Sequence, residues 1–124
     1  MMFDMNGLKY INDTFGHDEG DRFIRTFAAC LTRILTENSF LARYGGDEFV
    51  IVQEHTSLDE LEKMNMQLQK IVDAYNMQAV HEISYAVGYE VSYKNHYYLV
   101  QDLMKHADEK MYRDKAFKKG NSSK

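Results

Sequence analysis

The sequence contains no proline and only one cysteine, Cys30, in its 124 residues. A single cysteine excludes an intramolecular disulfide and fits a reducing compartment. Cys30 lies within a helical pattern of apolar residues, so we expect it to pack rather than to react. No apolar run approaches the roughly 18 to 20 residues that a membrane-spanning helix requires, so no membrane contact is predicted. No signal peptide is visible at the N-terminus, which makes the cytoplasm the expected location.

The charge of the chain is weakly negative, with a formal net charge of -4. This balance does not favour long nucleic acid as a partner, although a small polyanion could bind through a metal ion and a few lysines. Apolar residues make up 44% of the chain, enough for the core of one compact domain. We predict that this domain covers residues 1–117 and that residues 118–124 form a flexible tail.

Apolar spacing predicts eight elements in the order β, α, α, β, β, α, β, α. Residues 1–3 resemble the end of a buried strand, and a short helix then ends at Gly16. A longer helix is predicted from Asp18 to Thr36. The remaining predictions are strands at 40–44 and 49–52, a helix at 57–75, a β-rich segment at 83–91 and a helix at 99–118. Hairpin-connected strands between helices indicate an α+β sandwich with a mostly antiparallel sheet.

Three carboxylates follow or precede predicted strands. Asp4 ends the first strand, and Asp47 and Glu48 lie on the turn between the next two. If these strands are neighbours, the acids converge, and such a cluster of hard oxygen ligands suits Mg²⁺ or Mn²⁺. Gly45 and Gly46 beside them leave the backbone open to a phosphate. The pattern predicts phosphoryl chemistry; for this tetrapeptide alone, the alternative is a hairpin turn with solvated acids.

A second group of polar residues lies between Lys9 and Asp21 and includes Asn12 and His17. An amide and a carboxylate on one wall could read the Watson–Crick edge of guanine, because a carboxylate accepts from the ring N–H and the amino group together. Adenine would offer that carboxylate the wrong pattern. The segment therefore predicts a guanine site.

Four segments resemble, in order, the signature segments of the GGDEF diguanylate cyclases. They are residues 4–13, residues 16–21, residues 43–49, and residues 107–112 together with Lys115. The resemblance implies a palm-like fold related to that of the nucleotidyl cyclases. It also implies a bacterial signalling enzyme that condenses two GTP molecules into cyclic di-GMP and releases pyrophosphate. In this family each subunit holds one GTP, so the implied active form is a homodimer, and full-length relatives usually carry an N-terminal sensory domain.

The resemblance also implies roles for the acidic residues. Asp4, Asp47 and Glu48 would hold Mg²⁺ or Mn²⁺, with help from the main-chain carbonyl of Met5. Asp47 would also help to activate the 3′-hydroxyl that attacks the α-phosphate of the partner's GTP.

Further roles implied by the resemblance concern the nucleotide. Asn12 and Asp21 would read guanine, and His17 would line the nucleoside pocket. Lys9 would neutralise charge that develops on the phosphates, and Lys115 would contact them from the last helix. Outside this pattern, both lysines would be interpreted as solvated helix residues.

The sequence departs from the family at two places. Thr36 and Ser39 occupy the positions where many members carry an arginine and an aspartate that bind the product and inhibit the enzyme. A neutral pair cannot clamp a phosphodiester and guanine in that way, so we predict no tight product inhibition there. The N-terminal helix and the start of the first strand are also missing, so we expect a truncated first strand and a loosened Asp4 ligand.

Two alternatives to a diguanylate cyclase remain open. One is a non-catalytic module that binds GTP or another protein with the same fold. The other is a cyclase that makes mixed purine dinucleotides, which Asp21 disfavours because its carboxylate suits guanine.

Overall fold

A computed structural model describes residues 1–92 and 100–122 of the chain. Its elements follow the predicted order. They are β1 (Met2–Met5), α1 (Leu8–Phe15), α2 (His17–Thr32), β2 (Ser39–Arg43), β3 (Glu48–Gln53), α3 (Leu58–Asn76), β4 (Tyr85–Gly88) and α4 (Val100–Ser122).

The strands form one antiparallel sheet in the order β2-β3-β1-β4. Strand β1 pairs on both sides, so it lies inside the sheet. Asp4 lies in register with Glu48 on β3 and with Ala86 on β4. The main-chain carbonyl of Met1 accepts from the Ile51 amide at 2.9 Å, which continues the ladder beyond the first residue of β1.

Alternation along the strands gives the sheet two faces with separate cores. One face packs with α1, α2 and α3 and carries the larger core, in which Phe3 and Phe27 are completely buried. The other face packs with α4 and carries a small core of Met2, Val50, Ala86, Ala107 and Met111. This arrangement confirms the predicted α+β sandwich with helices on an antiparallel sheet.

Helix α2 ends at Thr32 and not at Thr36, where apolar spacing placed its end. The amides of residues 33–35 bond to carbonyls three residues earlier, which tightens and ends the helix. The Thr36 amide donates to the Ser39 hydroxyl at 2.9 Å, so it does not extend the helix.

Two other boundaries differ from the predictions. Strand β4 is only the central part of the predicted segment 83–91. Helix α4 continues to Ser122, beyond the predicted helix end at residue 118, and includes residues 118–122 of the predicted tail. The predicted start of this helix, Leu99, lies outside the described residues, and within them no helix is long and apolar enough to span a membrane.

Candidate metal and nucleotide site

The acidic cluster forms where β1 meets the turn between β2 and β3. Asp4 is 3% exposed, because it lies on an interior strand beneath α4. The Met5 amide donates to the main-chain oxygen of Asp47 at 2.8 Å, which fixes the turn against β1. Asp4, Asp47 and Glu48 each offer a carboxylate oxygen, and these atoms all lie within 4.8 Å of one another. The structure thus has the three predicted acids together.

The cluster has the chemistry of a divalent cation site. Asp4 Oδ1 is buried and has no hydrogen-bond partner among the described residues. A buried carboxylate oxygen without a partner is costly, and a hard cation would satisfy it. The donor set therefore fits Mg²⁺ or Mn²⁺.

The acids of the cluster also perturb one another. Burial raises the pKa of Asp4; the hydrogen bond from Lys115 opposes this effect, and the charge of Asp47 adds to it. Burial raises the pKa of Glu48 as well, and the charges of Asp4 and Asp108 contribute. A divalent cation would favour the ionised forms and act against these shifts. Sequence reasoning had not connected Asp108 with the site.

Lys115 reaches the cluster from α4. It lies one helical turn after Met111, which is completely buried in the core under the helix. Its Nζ atom lies 2.6 Å from Asp4 Oδ2, and this hydrogen bond raises the pKa of Lys115. The lysine predicted to contact phosphates is therefore paired with a predicted metal ligand.

Arg43 holds the glycine turn. Its Nε atom lies 3.1 Å from the carbonyl oxygens of both Gly45 and Gly46, and its Nη2 atom lies 2.6 Å from that of Gly46. Apart from Gly46 and its two chain neighbours, no atom of the described residues lies within 4 Å of the position that a Gly46 Cβ would occupy, so the backbone is accessible there. Sequence reasoning missed this function of Arg43, because only the folded turn brings those carbonyls to its side chain.

The residues predicted to bind guanine lie on α1 and α2. The two helices are joined at Gly16, whose φ of 96° favours glycine. Asn12 on α1 contacts α2 at Gly20, and its Oδ1 atom lies 1.7 Å from where a Gly20 Cβ would be. Asp21 follows directly and is exposed, as is His17 at the start of α2.

Lys9 is exposed on α1. Within residues 1–92 and 100–122, no ion pair links it to the acidic cluster, in contrast to Lys115. Its predicted contact with phosphate therefore remains a prediction.

A helix-flanked antiparallel sheet with an acidic cluster at an interior strand defines a palm-like domain. Residues 1–121 match the sequence model of the family described as diguanylate cyclase, GGDEF domain. The chain belongs to this family of diguanylate cyclase domains.

Curated relatives are longer than this chain. The signaling protein YkoW of Bacillus subtilis is 35% identical over 126 residues, which cover 98% of this chain and 15% of that protein. The response regulator PleD of Caulobacter vibrioides is 30% identical over 121 residues, which cover 94% of this chain and 26% of PleD. A Vibrio cholerae diguanylate cyclase is 27% identical over 112 residues, which cover 90% of this chain and 35% of the enzyme. The chain therefore spans about a third or less of these relatives.

Solved structures of GGDEF domains share the fold. The domain of DgcB from Caulobacter crescentus, solved in complex with cyclic di-GMP, superposes with a TM-score of 0.79 at 24% identity and covers 93% of this chain and 70% of that one. A GGDEF domain from Pseudomonas aeruginosa has a TM-score of 0.79 at 26% identity and covers 93% of this chain and 69% of that one.

Proposed function

We propose that this chain condenses two GTP molecules into cyclic di-GMP and releases pyrophosphate, in the presence of Mg²⁺ or Mn²⁺. The observation that carries the proposal is the convergence of Asp4, Asp47 and Glu48, whose ligand atoms lie within 4.8 Å of one another. The Asp4 oxygen that has no hydrogen-bond partner among the described residues supports it, since a hard cation would satisfy a buried carboxylate oxygen. Asp4, Asp47 and Glu48 would hold the cation, together with the main-chain carbonyl of Met5.

The reaction forms one bond and breaks one bond at each α-phosphate. The 3′-hydroxyl oxygen of one GTP attacks the α-phosphorus of the other, and the bond to the bridging oxygen breaks so that pyrophosphate leaves. Asp47 would take the proton of the hydroxyl. A cation held by these residues would supply Lewis-acid chemistry at the phosphoryl oxygens. Glu48 would help to hold that cation beside the reacting group.

The chain's other polar residues would position the nucleotide. Asn12 and Asp21 would read the guanine edge, with His17 beside the nucleoside. Lys9 and Lys115 would offset charge that develops on the phosphates.

Gly45 and Gly46 would bring the turn backbone close to the phosphates. The carbonyl oxygens of both glycines accept hydrogen bonds from Arg43, which supports a rigid turn at this point.

The active form would be a homodimer, because each chain brings one GTP to the reaction. The family resemblance leads us to expect an N-terminal sensory domain in the full-length protein, and PleD, of which this chain covers 26%, is named a response regulator. The cytoplasm supplies GTP and is the expected location.

The test is to incubate the purified chain with GTP and Mg²⁺ and to measure cyclic di-GMP by chromatography. We expect product from the native chain and none from the Asp47→Asn variant, which keeps the shape of the side chain but removes its charge. Asp59→Asn is the matched control, because this exposed acid lies in the first turn of α3.

Calorimetry with GTP separates the alternatives. Binding of GTP without turnover would favour the non-catalytic module, and ATP binding as tight as GTP binding would favour mixed dinucleotides. If neither nucleotide binds in the presence of Mg²⁺, the proposed function is wrong.

A further inference from the structure

The Lys115–Asp4 ion pair occupies one side of the proposed metal site. Lys115 Nζ donates to Asp4 Oδ2 at 2.6 Å, while Asp4 Oδ1 has no partner among the described residues. The lysine ammonium therefore already supplies one positive charge to a cluster of three carboxylates. A site without a metal ion is partly neutralised by the chain itself.

We propose that Lys115 is an exchangeable counter-ion, which weakens divalent cation binding at Asp4 until the phosphates of a nucleotide draw the ammonium away. The inference rests on the proposed function and deepens it, because it assigns to Lys115 control over when the metal site fills. Its physical basis is competition between two cations for one carboxylate.

The two cations interfere because they would lie very close together. A divalent ion bound at the unpartnered oxygen of Asp4 would share that carboxylate with the ammonium on the other oxygen. Like charges a few ångströms apart repel strongly where solvent screening is poor, and Asp4 has a side chain that is only 4% exposed. Simultaneous binding of the divalent ion and the Lys115 ammonium to Asp4 is therefore unfavourable, even though the carboxylate has two oxygens.

The lysine side chain, and not that of the aspartate, is open to solvent. The Lys115 side chain is 36% exposed, and its flexible stem places the ammonium at the boundary between the buried cluster and solvent. Asp4, by contrast, is fixed by pairing of β1 on both sides. A polyphosphate arriving from the solvent side would offer the ammonium several oxygens in exchange for one.

This exchange couples metal binding to nucleotide binding. A nucleotide that releases Lys115 from Asp4 raises the affinity of the cluster for the cation, and by linkage the cation raises the affinity for the nucleotide. When neither cation nor nucleotide is bound, the Lys115 ammonium also compensates the charge of the buried Asp4 carboxylate.

The test measures Mn²⁺ binding in the absence of nucleotide, by electron paramagnetic resonance of free Mn²⁺. We expect Lys115→Met to bind Mn²⁺ at least about tenfold more tightly than the native chain, because it removes the competing charge and keeps a long apolar stem. Lys115→Arg keeps the charge and should bind as weakly as the native chain.

Lys110→Met is the matched control. Lys110 lies on the same helix and pairs with Glu90 at 3.0 Å, so its replacement changes the net charge and breaks a similar ion pair away from the cluster. It should leave the Mn²⁺ affinity within about twofold of the native value. A gain as large as that of Lys115→Met would show a general charge effect and overturn the proposal.

Thermal unfolding gives a second readout that a purely structural role would not produce. Lys115→Met should have a lower Tm than the native chain without metal, and saturating Mn²⁺ should abolish that difference. Equal or weaker Mn²⁺ binding by Lys115→Met would overturn the exchange.

The Asp4→Asn variant distinguishes this failure from failure of the proposed function. If Asp4→Asn loses Mn²⁺ binding while Lys115→Met binds like the native chain, the metal site stands and only the exchange is wrong. If Mn²⁺ binds none of the proteins, with or without GTP, both proposals are wrong.

Discussion

Gly20 matters for the proposed guanine site because it lies against the side chain of Asn12. Its missing side chain leaves room for the Asn12 amide, which lies where a Cβ would be. Asn12 is the proposed guanine-reading amide, so the glycine determines where that amide sits. Because an asparagine side chain can rotate, a substitution at Gly20 would move the amide while the fold survives.

We therefore expect Gly20→Ala to lower the affinity for GTP by about tenfold or more, as expected when a buried polar contact to the base is misplaced. Calorimetry with GTP and Mg²⁺ measures the loss. The control is the same substitution in an Asn12→Ala background, where no amide remains to be displaced. A further loss of similar size in that background would show that Gly20 does not act through Asn12.

The hydroxyl groups of Thr36 and Ser39 are already engaged in hydrogen bonds within the chain. The Ser39 hydroxyl bonds to Gln53 Oε1, and Gln53 Nε2 donates to the Thr36 hydroxyl at 2.9 Å. This neutral network offers no guanidinium to a phosphodiester.

We expect no saturable binding of cyclic di-GMP at micromolar concentrations that depends on residues 36–39. Calorimetric titration of the native chain and of Thr36→Ala and Ser39→Ala should give the same result for all three. Micromolar binding that either substitution abolishes would contradict the prediction.

At the scale of elements, β4 and α4 approach each other at Gly88. A Cβ at this position would lie 1.9 Å from the Ala107 carbonyl oxygen and 2.3 Å from the Met111 amide nitrogen. Both atoms belong to helix backbone, which cannot rotate away as a side chain can. The same helix carries Lys115, which pairs with Asp4 on β1.

Gly88→Ala should destabilise the protein by about 1 to 3 kcal/mol, the usual cost of overpacking a close contact. Chemical denaturation of the metal-free chain measures this change. Gly46→Ala is the control, since in the described part of the chain only its own sequence neighbours come within 4 Å of the Cβ position. Equal stability of the Gly88→Ala and Gly46→Ala proteins would disprove the packing argument.

The segment after β4 is tied to α4 by a charged contact. Glu90 pairs with Lys110 at 3.0 Å and lies 4.0 Å from a nitrogen of His106. Burial acts to raise the pKa of Glu90, but hydrogen bonds from Lys110 and the Val91 amide and the nearby positive charges outweigh it, so the pKa is lowered. A lowered carboxylate pKa means that the folded state binds the proton less tightly than the unfolded state.

The contribution of Glu90 to the free energy of unfolding is therefore present above the ordinary pKa of 4.5. It is lost as the pH falls through the lower pKa that Glu90 has in the folded protein. We expect Glu90→Gln to cost about 0.5 to 1 kcal/mol at pH 7 and almost nothing near pH 3. Denaturation at both pH values tests this, with Glu109→Gln, an exposed acid on α4, as the control. A cost that persists near pH 3 would contradict the assignment to charge.

At the scale of the whole molecule, the proposed reaction needs two chains. If the chain turns over GTP, the rate per chain should rise with chain concentration, and in the dilute range a tenfold dilution should lower it roughly tenfold by mass action. Initial rates at saturating GTP measure this dependence. A rate per chain that stays constant on dilution would show that dimerisation during the assay is not required.

The sequence predicted those parts of the fold that depend on local patterns. Alternating and helical spacing identified the eight elements. The predicted start of the helix 57–75 agrees with the structure, where the Ser57 hydroxyl accepts from the Glu60 amide at 3.2 Å. Convergence of Asp4 with the acidic turn was predictable, because a hairpin next to β1 brings both to one end of the sheet.

Contacts between distant segments could not be predicted in this way. Lys115 and Asp4 are separated by 111 positions, and their pairing depends on how α4 lies on the sheet. Phe15 shares the helical spacing of the buried residues Leu8 and Ile11, yet it is 49% exposed, and its ring centroid lies 4.5 Å from that of His81. Spacing identifies one face of a helix, but it does not show how far the neighbouring elements cover that face.

The hydrogen bond from the Met5 amide to the Asp47 carbonyl joins main-chain atoms, so it does not depend on which side chains these positions carry. A descendant of this chain could exchange its acids for neutral residues and still keep β1 and the turn in place. Catalysis and architecture could thus be inherited separately here. Such a descendant could keep the fold and serve as a receptor after its catalytic activity had been lost.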